Sequence, residues 1–184
     1  LAIFLGIHSV GIFAAGWREA QIAQHGERTW KGLYSIVSIL GFALLVYGYG
    51  LARHAPVVLY TPPTFLRHIA LLLMVPVFPL FLATYFPGRI KAALKHPQLM
   101  SIKLWATAHL LANGTLHDVI LFGAFLVWAV LDLIAAKRRA VPRTLPGAPP
   151  SRANDAIAVV AGLVLYVAFV LVLHRWLIGV SPIG

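Results

Sequence analysis

The chain has 184 residues, of which 60% are hydrophobic and only 11% charged, with a mean hydropathy of +0.86. Soluble globular domains do not show that balance, so lipid is the expected solvent; at roughly 20 apolar residues per crossing of a core about 30 Å thick, the length suits about six transmembrane helices in one all-α bundle. The formal charge of +10 sits between apolar runs, where it reports topology and anionic lipid and points to no nucleic-acid partner, and the absence of cysteine excludes disulfides, thiolate metal sites and thiol redox chemistry.

In chain order, Leu1 to Trp17 reads as the remainder of a first span, stopped by Arg18 and Glu19. The apolar run at the very start points to residues upstream of it, and no signal peptide is evident. A polar loop is expected from Arg18 to Lys31. Span two then follows from Gly32 to about Leu51, with Tyr34, Tyr47 and Tyr49 where interfacial aromatics are favoured. Three prolines between Arg53 and Pro63 predict a surface connection. Phe65 to Phe86 forms span three, bent at Pro76 and Pro79 and ended by Pro87-Gly88. After a basic connector with Arg89, Lys91, Lys95 and His96, Pro97 opens a short span four that stops at Asn113-Gly114. Span five runs from Leu116 to Ala136, and span six from Asp155 to about Val180. The domain reading is therefore one transmembrane unit over residues 1–184, with a Pro/Arg-rich cytoplasmic linker at about 138–154.

Lysine and arginine sort by side in this layout. Arg18, Arg28, Lys31, Arg89, Lys91, Lys95, Lys137, Arg138, Arg139, Arg143 and Arg152 share one side, eleven of the fifteen; Arg53, Arg67 and Arg175 share the other, and Lys103 lies inside span four. The positive-inside rule makes the first side cytoplasmic and both termini periplasmic, in a multi-pass protein of the bacterial inner membrane. Lys103 is expected to snorkel to the cytoplasmic headgroups or to pair with Asp132.

Eight histidines carry most of the available chemistry. His25 and His96 fall in connectors, and His54, His68, His117 and His174 near the opposite interface. His8 and His109 are intramembrane: at 1.5 Å per residue, His8 is roughly 14 Å above Trp17 and His109 roughly 17 Å above Gln98. Two neutral imidazoles at one depth on different helices either tie helices together or supply the axial ligands of a haem iron. Ser101 and Trp105 below His109, with Ala112 and Asn113 above it, turn that stripe toward the bundle. Gly11 and Ala15 beside His8 leave room for another helix or a flat macrocycle. Haem propionates would need cations or polar groups; Arg67 with His68, Arg53 with His54, and Asn113 with His117 all cluster near one interface, where they are either propionate partners or interfacial anchors. No carboxylate pair, nucleophile triad, phosphate loop or HExxH metal motif is present.

The run KHPQLMSIKLWATAHLLAN from Lys95 to Asn113, together with GIHS around His8, LRHIALLLM from Leu66 and LHRWLIGVSP near the C-terminus, resembles the NnrU family across nearly the whole chain. The resemblance implies a polytopic bacterial protein linked to nitrogen-oxide (denitrification) metabolism. It also implies a distant relation to the plant zeta-carotene isomerase, a membrane enzyme with haem b, and by motif makes His8 and His109 the two haem ligands. The isomerase has a cysteine three residues before the second ligand where this chain has Ala106, so exchange of histidine for thiolate is excluded here. The function expected is thus a membrane protein binding haem b, with Arg67, His68, Asn113 and His117 around the cofactor. Haem-dependent redox or isomerase chemistry would follow, with membrane lipid, other subunits of a membrane complex, or an apolar molecule such as a polyene or quinone as partners. Two alternatives compete with it: a membrane methyltransferase using Lys95 to Gln98, whose HP run resembles enzymes that modify isoprenylated cysteine, and a structural or assembly subunit.

The charge asymmetry is directly testable, because the chain has no cysteine of its own. A single cysteine introduced at Ser151 is expected to resist an impermeant maleimide in intact cells and to react once the membrane is opened; labelling in intact cells would invert the topology.

Overall fold

The computed structural model describes residues 1–139 and 145–183. These residues form ten α-helices: α1 Ala2–Phe13, α2 Ala15–His25, α3 Glu27–Ala52, α4 Thr64–Met74, α5 Val77–Ala83, α6 Arg89–Leu94, α7 Pro97–Ala112, α8 Leu116–Arg138, α9 Asn154–Ala168 and α10 His174–Ile178, the last two joined by a π-helical stretch, Phe169–Leu173. No β strand occurs among the described residues. Four stretches are long and apolar enough to cross a bilayer, namely Glu27–Ala52, Thr64–Ala83, Leu116–Arg138 and Asn154–Ile178, and α1 and α7 add two shorter helices. The all-α membrane bundle expected from composition is what forms.

The helices pack in a row. Helix α1 lies between α3 and α8, α7 lies between α8 and the α4/α5 pair, and α9 covers α5. This central position explains how α7, about 24 Å long at 1.5 Å per residue, can be shorter than a bilayer core. Its ends meet protein before they meet lipid, and its fully buried Ala106 and Ala108 let neighbouring backbones approach closely. The same device joins α5 to α9. A Cβ added at Gly162 would stand 2.6 Å from Pro79 Cα, so only glycine fits there.

Two sets of connections gather at opposite ends of the bundle. At one end Leu116 N–H donates to Val57 O (2.8 Å), Leu59 N–H to Gly114 O (2.8 Å) and Arg53 Nη1 to Ile178 O (2.6 Å). At the other, Ala148 N–H donates to Tyr85 O (2.7 Å), Asn154 Nδ2 to Pro87 O (2.9 Å), and the Asp155 carboxylate accepts from Arg89 and Ile90 N–H (2.8 and 3.1 Å). Consecutive spans therefore alternate in direction. Part of the linker expected over 138–154, residues 140–144, lies outside the described residues.

The polar segment after span one differs from the expected loop. Residues 15–25 continue as α2 after a break at Ala14 (φ −133°, ψ 44°), and Gly26 at φ 83° separates α2 from α3. Arg18, Glu19, Ala20 and Gln21 are good helix formers with no proline among them, so polarity moves this segment out of the apolar layer without unfolding it. The expected bend in span three is the break at Val75-Pro76 between α4 and α5, while Pro79 falls in the first turn of α5, where its missing N–H costs nothing.

Gly162→Ala is expected to lower stability by about 1–3 kcal/mol through overpacking against Pro79. Gly123→Ala, whose Cβ would meet nothing within 4 Å, should instead be neutral or gain about 0.5–1 kcal/mol from helix propensity. Thermal unfolding of the two variants in detergent compares them.

Candidate functional site

The break at Val75-Pro76 shapes a cavity between α4, α7 and the α9–α10 segment. Pro76 has no N–H, and Val75 N–H turns back to Leu72 O (3.2 Å), which leaves Leu71 O to accept from the Tyr166 hydroxyl of α9 at 3.0 Å. That bond pins α9 across α4, and beside it opens a cavity of about 600 Å³. Its wall is apolar along Ala70, Leu71, Met74, Phe78 and Phe169, and its polar lining comes from Arg67, His109, Asn113, His174 and Arg175. The segment after α10 folds over it: Gly179 takes a left-handed cap (φ 81°), and residues through Pro182 complete the lining.

Two imidazoles meet here. His109 on α7 has its Nδ1 2.8 Å from Trp105 O, one turn earlier, and its ring stacks on Phe122 of α8 at 4.4 Å. His174 opens α10 with Nδ1 2.7 Å from Val180 O. A carbonyl can only accept, so in each ring Nδ1 carries the proton and donates, and Nε2 is left as the free lone pair. The ring centroids are 6.4 Å apart, with the planes inclined by 24°. Immediately before His174, Phe169–Leu173 is π-helical, and such turns concentrate at functional sites.

The residues anticipated from sequence separate into groups. Arg67, His109 and Asn113 share the cavity, and Asn113 Nδ2 also donates to His109 O at 2.9 Å, closing the end of α7. His68, next to Arg67, is exposed and outside the cavity lining. His8 lies elsewhere, between α1, α3 and α8. Its Nδ1 donates to Phe4 O (2.6 Å), and its ring contacts Phe4, Tyr34 and Trp128 at 4.2, 5.4 and 6.2 Å. A relay of rings leads from it to His109, through Phe4–Phe125 (5.9 Å), Phe125–Trp105 (5.3 Å) and Trp105–His109 (5.3 Å). Trp128 Nε1, on the ring beside His8, and Ser38 Oγ of α3 are buried without a hydrogen-bond partner.

His117 belongs to a further cluster, built around a carboxylate that the sequence reading passed over. Asp118, 5% exposed, accepts from the Tyr49 hydroxyl (2.6 Å) and the Thr115 hydroxyl (2.5 Å), while His117 packs on the Tyr49 ring at 5.2 Å and brings Nε2 to 3.9 Å from Asp118. Thr115 precedes α8 and Asp118 lies in its first turn, so this group ties the start of that helix to Tyr49 of α3. Asp132 is bound by Arg139 Nη2 at 3.0 Å, which occupies the carboxylate considered for Lys103. In the Lys95 to Gln98 run, Pro97 is fully buried as the first residue of α7 and Lys95 takes φ 61°. Among the described residues no cluster of three or more His, Asp or Glu could hold a metal ion.

These features define a polytopic all-α membrane protein with a histidine-lined cavity set into its bundle. The family model of NnrU proteins matches residues 1–182, and the chain belongs to that family. No curated protein and no solved structure matches it.

Proposed function

We propose that this protein binds one b-type haem inside the membrane, in the cavity lined by His109, and that the haem serves the nitrogen-oxide metabolism or related redox chemistry that the NnrU resemblance implies. The observation that carries the reading is His109 itself. It stands at the wall of an apolar cavity with Nδ1 held by a backbone carbonyl, the arrangement that fixes the tautomer and orientation of metal-bound histidines. The remaining fit is also favourable. The volume of about 600 Å³ is within the ordinary range of about 300–1,000 Å³ for cofactor sites, and the lining is mostly apolar.

Arg67 and Arg175 bring two guanidinium groups to the same cavity, and a guanidinium holds a carboxylate through paired hydrogen bonds, so these residues are the propionate partners of the proposal. Asn113 can supply a further polar contact. Once bound, the group would supply an iron able to change oxidation state. The chain's own part is to hold it through His109, balance its negative charge and exclude water with Met74, Phe78 and Phe169. Ala106, fully buried three residues before His109, offers no thiolate, and the chain has no cysteine elsewhere to supply one.

The purified protein is expected to show a reducible low-spin b-type spectrum that His109→Ala abolishes or converts to another form. Arg67→Ala should keep the low-spin spectrum but speed haem loss by roughly tenfold or more, since a charge-assisted hydrogen bond contributes about 1.5–3 kcal/mol and 1.4 kcal/mol is a factor of ten. Arg67→Lys should recover part of the loss. Wild-type protein made with ample haem and devoid of porphyrin absorbance would reject the proposal, and normal haem retention in Arg67→Ala would reject the propionate role of that residue.

A further inference from the structure

We infer that His174, and not His8, is the residue that closes the coordination of a haem held by His109. The inference rests on the haem reading above. The spacing of two rings in one cavity carries it, and two further observations agree with it. Two imidazoles bound through opposite nitrogens to one transition-metal ion, each at about 2 Å with its ring centre about 1 Å further back, hold their centres a little over 6 Å apart. The His109 and His174 centroids are 6.4 Å apart and their planes are nearly parallel. His8 is in ring contact with Phe4, Tyr34 and Trp128, and the path from it to His109 is filled by Phe4, Phe125 and Trp105.

The second observation is tautomer, which His8 shares through its own bond to Phe4 O and which therefore permits ligation by His174 without by itself choosing it. His174 donates from Nδ1 to Val180 O at 2.7 Å just as His109 donates to Trp105 O at 2.8 Å, so both rings are anchored from behind with Nε2 left as the ligating nitrogen. The anchoring carbonyl lies in the segment that folds over the cavity, so closing that segment and orienting the ligand are one event. The third is the π-helical stretch Phe169–Leu173, which directly precedes His174. One residue beyond the α-helical repeat turns everything after it by about 100°, and His174, the first residue after the stretch, lines the cavity with His109. His8 then belongs to a separate half of the bundle, where its ring contacts Tyr34 of α3 and Trp128 of α8.

The experiment compares His8→Ala, His109→Ala and His174→Gly purified from haem-replete membranes, read by ferric and ferrous absorbance and by electron paramagnetic resonance of the ferric protein. His174→Gly is expected to lose the low-spin signal and show a high-spin, five-coordinate one, and added imidazole should restore the low-spin signal in that variant. His8→Ala should keep the wild-type spectrum. Unaltered low-spin spectra in His174→Gly, with loss of the low-spin signal in His8→Ala, would overturn the assignment while leaving the haem reading intact. A wild-type protein without porphyrin would overturn both. If His174→Gly does not fold, His174→Gln, which keeps a donor toward Val180 O, takes its place, and a low-spin spectrum there would equally overturn the assignment.

Discussion

Inside a bilayer every backbone carbonyl needs a donor from the protein itself, and the architecture depends on how this chain meets that requirement where its helices break. At the Ala14 break, Arg139 reaches Gly11 O at 3.1 Å. At Val75-Pro76, Tyr166 takes Leu71 O, and where α5 ends Lys91 Nζ takes Thr84 O at 2.7 Å. At the end of α7, the Tyr60 hydroxyl serves Leu110 O and Asn113 O while Asn113 Nδ2 serves His109 O, and at the end of α10 Arg53 serves Ile178 O. Each of these donors comes from a different element or a neighbouring turn, so each break is also a cross-tie.

The cavity is a by-product of these repairs. Breaking α4 from α5 at Pro76 frees the carbonyl that draws α9 in through Tyr166, and the π-helical stretch in α9's continuation then turns His174 toward His109. The strap of residues 57–60 over the α7–α8 turn is what keeps the top of α7 in place. Gly114 is glycine there because Tyr60's backbone carbonyl occupies the space a Cβ would need, and not because of an unusual dihedral angle. With that end fixed, His109 three residues before the end of α7 is held at a defined point on the cavity wall.

Much of this was legible in the sequence, for physical reasons that also mark where legibility stopped. Apolar run length and proline placement mark the spans, because a bilayer core sets the length of a helix that meets lipid at both ends; α7, enclosed by protein, is marked by Pro97 and Asn113-Gly114 instead, and the polarity of Ala15–His25 reports position relative to lipid and not a loop. Arg67, His109 and Asn113 were found by stripe and interface arguments, which depend on regular helical phase. His174 was set aside as an interfacial residue, since its direction depends on a π turn that counting at 3.6 residues per turn does not contain. His117 stands out as a titratable group near Asn113, whereas the carboxylate that organises its cluster, Asp118, is joined to Tyr49, 69 residues away in sequence, where no local pattern points to it. The depth argument that joined His8 to His109 had no information about the rings of Phe4, Phe125 and Trp105 between them.

The central proposal is that the cavity beside His109 is where this NnrU protein would hold a haem iron. Anomalous diffraction at the iron absorption edge, from crystals of the protein purified from haem-replete membranes, locates such an atom without reference to any variant. The account predicts a single peak at the ring of His109, on its cavity side and facing His174; a peak beside His8 on the far side of the Phe125 and Trp105 rings, or no iron peak from protein that is fully folded, would contradict it.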